Sequence, residues 1–109
     1  MTASVLNLGP VDRIPPGEGR VFTVDGLRVA VFRTRHGELH ATQAECPHRQ
    51  GPLADGLVGG GIVVCPLHGW KFTISSGEPV GNDCPTLATY PVRLAENGDV
   101  LLEPRRATA

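Results

Sequence analysis

Neither sign of charge dominates this chain: 10 Lys and Arg stand against 11 Asp and Glu, for a formal net charge of −1 and a pI near 6.4. The lack of a basic surplus excludes an electrostatically driven nucleic-acid binder, which needs a positive face to displace counterions from phosphates. Long hydrophobic runs are missing as well. No stretch reaches the roughly 20 apolar residues that cross a bilayer, so no membrane association is expected. The segment from Met1 to Arg13 has no basic start and is broken by Asn7, Gly9 and Pro10, which argues against an export signal and makes the cytoplasm the expected location. Cysteine is scarce and odd in number; 3 residues do not close a disulfide framework. In a reducing compartment, cysteines close to histidines point to metal before they point to a disulfide. No Ser/His/Asp order with supporting motifs occurs, and Gly59–Gly60–Gly61 follows no strand-to-helix pattern that would cradle phosphate. Substrate conversion by this chain alone is therefore not expected.

What is present reads as one all-β domain over residues 1–109. Fourteen Gly and 10 Pro leave few uninterrupted stretches long enough for a helix. Short runs rich in Val, Ile, Leu, Thr and Phe predict strands over Arg20–Val24, Leu27–Thr34, Leu39–Gln43, Ile62–Val64, Lys71–Ile74, Thr89–Leu94 and Val100–Glu103. Turn signals separate them at Asp25–Gly26, His36–Gly37, Ser76–Gly77 and Asn97–Gly98. Closely spaced short strands predict a small antiparallel β sandwich. The stretch from Glu45 to Gly61 lacks periodicity and reads as an ordered loop, with one helical turn at Leu53–Asp55. The tail Pro104–Ala109 reads as frayed.

The chemistry is concentrated in two places. Cys46-Pro47-His48 is followed, after sixteen residues, by Cys65-Pro66-Leu67-His68. Each cluster supplies one thiolate and one imidazole, so the two together offer four metal ligands. A 2Fe–2S cluster takes two ligands per iron, and exchanging two thiolates for neutral imidazoles raises its potential above that of an all-cysteine cluster. Zinc also accepts a Cys2His2 set, and a zinc-stabilised binding module without a redox role is the alternative. The short Cys-x-His spacing is uncommon for zinc fingers, whose cysteines are usually paired two to four residues apart.

Cys46-Pro47-His48 with Gly51-Pro52-Leu53, and Cys65-Pro66-Leu67-His68-Gly69-Trp70-Lys71-Phe72, resemble the two cluster-binding boxes of the Rieske 2Fe–2S family. The resemblance implies a three-layered antiparallel sandwich whose cluster-binding subdomain consists of two loops, residues 45–53 and 64–72. It implies Cys46, His48, Cys65 and His68 as ligands. Pro47, Gly51, Pro66, Leu67, Gly69, Trp70 and Phe72 form the implied surroundings. The prolines would stiffen the loops, and Gly51 and Gly69 would let backbone approach the sulfides. Pro79 would belong to a third, covering loop.

Respiratory members of the family carry an extra cysteine in each box, and these form a clamp; Gly51 and Leu67 occupy those positions here. The same members place Ser and Tyr hydroxyl donors where this chain has Trp70 and Phe72. Donors to sulfur favour the reduced cluster, so their loss implies a potential on the order of −150 mV, at the bottom of the Rieske range. The chain is similar both to ferredoxins of ring-hydroxylating dioxygenases and to small subunits of NAD(P)H-dependent nitrite reductase. The box sequences lean towards the latter, and Gly37–Thr42 with Cys84-Pro85-Thr86-Leu87 suits the former equally. The implied partners are a flavin- or NAD(P)H-dependent reductase and a terminal oxidoreductase, either an oxygenase or a nitrite reductase large subunit. Arg49 and Gln50 are candidate partner contacts. Cys84 reads as a free thiol, and His36 and His40 as solvated surface residues.

Overall fold

The computed structural model describes residues 5–24, 26–47, 52–67 and 69–103. His48, Arg49, Gln50, Gly51, His68, Asp25 and the tail from Pro104 lie outside them.

The fold is built around β3 (Leu27–Arg33), in which four consecutive residues, Val29, Ala30, Val31 and Phe32, are fully buried. Side chains alternate across a strand, so a run apolar on both faces must be covered on both. Val29 and Val31 pack with Leu8, Ile14, Ala41, Val100 and Leu102. Ala30 and Phe32 pack on the other side with Leu53, Val63, Phe72, Ile74 and Leu87. Three antiparallel layers result. The middle sheet has the order β2-β3-β4-β9, with β2 Glu18–Val24, β4 Leu39–Gln43 and β9 Thr89–Tyr90. One outer sheet is β1-β11-β10, formed by Leu6–Pro10, Asp99–Leu102 and Val92–Leu94. The other is β5-β6-β7-β8, formed by Leu57–Gly59, Ile62–Val64, Lys71–Thr73 and Pro79–Val80. All pairings are antiparallel.

The all-β sandwich agrees with the expectation from sequence, and β4 and β6 have the expected ends. The ends of β2, β3, β7 and β11 differ from the expected ones by one or two residues, and four larger details differ. Residues 45–61 are not all loop: β5 lies within them and pairs with β6 through the turn at Gly60 and Gly61 (φ +58° and +77°). Leu57 is 77% exposed and only Val58 between it and Gly59 packs on the core, so the alternation is too short to show in sequence. The expected strand Thr89–Leu94 is broken at Pro91, and its halves pair in different sheets; proline has no N–H for a ladder. Strand β1 escaped notice because Gly9 and Pro10 read as breakers, and its register does shift between Asn7 and Pro10. Pro79 lies in β8, paired with Phe72, rather than in a loop. The helical turn at Leu53–Asp55 is present as a 3-10 turn with Leu53 and Ala54 buried.

Two predictions follow from this packing. Gly77 has φ +80°, and a Cβ there would overlap the Leu87 carbonyl, whereas Gly98 has φ +91° with open space around it. Gly77→Ala is expected to cost about 3 kcal/mol or more in urea unfolding and Gly98→Ala about 1 kcal/mol. Tyr90 is the only tyrosine, and burial raises its phenol above the ordinary value. Because the folded state holds that proton longer, this contribution to stability is intact below pH 10 and declines as the pH rises through the folded pKa. Difference absorbance of tyrosinate should show one late ionisation.

Candidate metal centre

The first cysteine leaves β4 through Ala44 and Glu45. The loop it enters is closed at its base: Leu53 N–H donates to the Ala44 carbonyl (3.0 Å), and Glu45 bridges to Pro52. Arg28 forms an ion pair with Glu45 on the outer side of this base. Both partners are substantially exposed, which limits such a pair to about 0–1 kcal/mol. The second cysteine directly follows β6, and the loop to β7 is tight. Cys65 N–H donates to the Trp70 carbonyl (2.7 Å), and Gly69 N–H donates to the Cys65 carbonyl (3.0 Å). Gly69 has φ +72°, and a Cβ on it would meet no atom within 4 Å. Within the chain, the demand on this glycine is therefore conformational rather than one of close approach.

Cys46 is fully buried and Cys65 is 2% exposed, and both belong to the packed cluster that contains Leu53, Phe72 and Leu87. Neither is in a disulfide. Among the described residues, no group of three His, Cys, Asp or Glu side chains converges on one point; the cysteines are the two members of the expected quartet that lie among them. Their chemistry fits a metal cluster: two soft thiol donors, shielded from water, each begin a short loop whose sequence contains a histidine two or three residues later.

The residues expected around such a centre divide into two groups. Phe72 is fully buried beneath the cysteines. Pro47 is half-buried, Pro66 is exposed, and Leu67 is 51% exposed at the second loop. Trp70 is half-buried against the core and lines a hollow of about 590 Å³ with Gly69, Lys71, Val80, Gly81, Asn82 and Asp83. His36 is exposed, and His40, with Nε2 3.7 Å from a Glu38 oxygen, lies on β4 outside either loop.

A third segment, residues 81–88, completes the neighbourhood. Asn82 Nδ2 donates to the carbonyls of Lys71 (3.1 Å) and Val80 (3.2 Å), while its Oδ1 accepts from Cys84 N–H (3.0 Å). Cys84 packs against the cluster holding the other two cysteines. Burial first, then the neighbouring Cys65 and Asp83, push its thiol above the ordinary range, which suits an inert side chain rather than a reactive one. Sequence reasoning missed Asn82. Its only signal was the turn-forming Gly81-Asn82-Asp83, which says nothing of its grip on β7.

Comparison with known proteins agrees with this geometry. The family described as the Rieske [2Fe-2S] domain matches residues 4–91. The biphenyl dioxygenase ferredoxin subunit of Pseudomonas sp. (strain KKS102) is 38% identical over 99 residues, covering 89% of each chain. The 4beta-methylsterol monooxygenase of Methylococcus capsulatus is 48% identical over 60 residues, which span 55% of this chain but 16% of that protein. A structure described as an NADH-dependent nitrite reductase small subunit from Mycobacterium tuberculosis superposes with a TM-score of 0.85 at 24% identity, covering 100% of this chain and 98% of the other; that likeness is one of fold.

Proposed function

The chain belongs to the Rieske 2Fe–2S domain family and is an electron carrier of ferredoxin type; from that premise we propose that Cys46 and Cys65 bind one iron of the cluster, His48 and His68 the other, and that the chain serves a multicomponent oxygenase. The cluster supplies one-electron exchange; the protein supplies its cage. Cys46 and Cys65 are held ready as ligands by the closed base of one loop and the Cys65–Trp70 hydrogen bond of the other. Leu53, Phe72 and Leu87 keep water from the thiolate side. The outer side differs: Val80, 42% exposed, lines the Trp70 hollow, and Leu67, 51% exposed, lies in the second loop, giving apolar surface where a reductase and then an oxygenase can dock.

The observation that carries the oxygenase reading is the 38% identity spread over 89% of both this chain and a dioxygenase ferredoxin subunit. The nitrite reductase subunit shares the fold at lower identity. Adding the purified chain to the reductase and oxygenase components of a biphenyl dioxygenase system, without its own ferredoxin, should restore NADH-dependent substrate turnover. Restoration only with a nitrite reductase large subunit would assign it to the other system.

The ligand assignment predicts that Cys46→Ala and Cys65→Ala yield colourless protein without iron, while Cys84→Ser retains iron and colour. Wild-type protein purified anaerobically with zinc and no iron would overturn it. The side chains at positions 70 and 72 offer no hydroxyl: Phe72 is apolar and buried, and Trp70 can donate only through its ring N–H. The potential should therefore fall near about −150 mV in a redox titration, and a midpoint above about +100 mV would contradict the argument.

A further inference from the structure

Gln43 is the last residue of β4, three positions before Cys46. Its backbone N–H donates to the Ala88 carbonyl (2.9 Å). Its side chain then uses both ends of the amide. Oε1 accepts from Ala88 N–H (2.8 Å), and Nε2 donates to the Glu45 carbonyl (2.8 Å). The network itself fixes which end is which, since a backbone N–H needs an acceptor and a carbonyl needs a donor. One half-buried amide thus ties the strand leading into the first loop to a segment 45 residues away.

The Glu45 carbonyl shares a rigid, planar peptide unit with Cys46 N–H. Holding that carbonyl stops the peptide from rotating and so aims the bond that carries the Cys46 side chain. The other contacts at the base of the loop, Ala44 with Leu53 and Glu45 with Pro52, join the two arms of that loop to each other. They do not anchor it to residues 81–88. That segment is in turn fastened by Asn82 to Lys71, on the strand that follows the second loop. Ala88 is therefore where the two cysteine loops are brought into mutual register, and Gln43 makes the connection.

We propose that Gln43 is a positioning residue for the metal centre, locking the Glu45–Cys46 peptide against Ala88 so that the Cys46 thiolate meets the iron in one orientation. The inference rests on the assignment of Cys46 as a ligand. Gln43→Met keeps the length of the side chain and removes both of its hydrogen bonds. Gln43→Glu keeps the acceptor for Ala88 but sets a carboxylate against the Glu45 carbonyl. Val100→Ala, in the core on the far side of β3, serves as a control that destabilises the fold away from the site.

Each protein is compared with wild type in melting temperature, in the g values of the reduced cluster by EPR, and in the rate of bleaching by an iron chelator. Both Gln43 variants should bleach about tenfold faster, the scale on which supporting contacts act on metal sites, with shifted g values. Val100→Ala should melt lower yet keep the wild-type spectrum and rate. Wild-type g values and bleaching in the Gln43 variants, or changes that merely track melting temperature as in Val100→Ala, would overturn the proposal. If Gln43→Met does not fold, Gln43→Glu decides by the same criteria. Wild-type protein lacking the cluster spectrum would instead overturn the ligand assignment itself.

Discussion

The burial of β3 on both faces is the constraint from which the rest of the molecule follows. Val29 and Val31 need cover on one side, Ala30 and Phe32 on the other. One sheet alone cannot provide both. The chain therefore lays β1, β10 and β11 over one face and β5 to β8 over the other, and the second of these layers brings Cys65 to the core that Cys46 reaches from β4. The cysteines converge because the strands delivering them are packed against opposite sides of the same hydrophobic cluster. The loops provide the final turn, and the sheets provide the meeting point.

Much of this was legible in the residues. The continuous apolar run from Val29 to Phe32, the glycines at turns and the two Cys-Pro clusters each carry a local signal that survives folding. What was not legible shares a physical cause. Leu57–Gly59 is three residues long and puts a single side chain, Val58, against the core, a pattern too short to mark a strand in sequence. The break at Pro91 shows only when the partners on either side are known. Asn82 and Gln43 act through backbone groups of distant residues, and a glutamine that binds peptide groups looks in sequence like any other polar side chain at a strand end. The candidate ligands came from spacing and from the resemblance to the Rieske boxes, whereas the contacts around the two cysteines link segments far apart in the chain and show only in the fold.

The site is asymmetric in a way that suits its work. Towards the core the thiols are sealed by Leu53, Phe72 and Leu87, where a potential is set and water is kept out. Beside the second cysteine, by contrast, Leu67 in the loop and Val80 in β8 are exposed. A carrier must hold its cofactor tightly yet release its partners quickly. Under the proposed assignment, a dry interior behind an exposed rim would meet both requirements, because a partner docking there would not have to disturb Cys46 or Cys65.

Pro91 has a mechanical consequence. On its two sides the chain belongs to different layers, with Tyr90 paired to Ala41 in the middle sheet and Val92 paired to Leu102 in the sheet farthest from the cysteines. There is no slack between them. Just before β9 stands Ala88, which is hydrogen-bonded to Gln43. With no loop between them, the middle sheet and the far sheet share one continuous stretch of backbone, so neither can slide along the other without displacing a strand end.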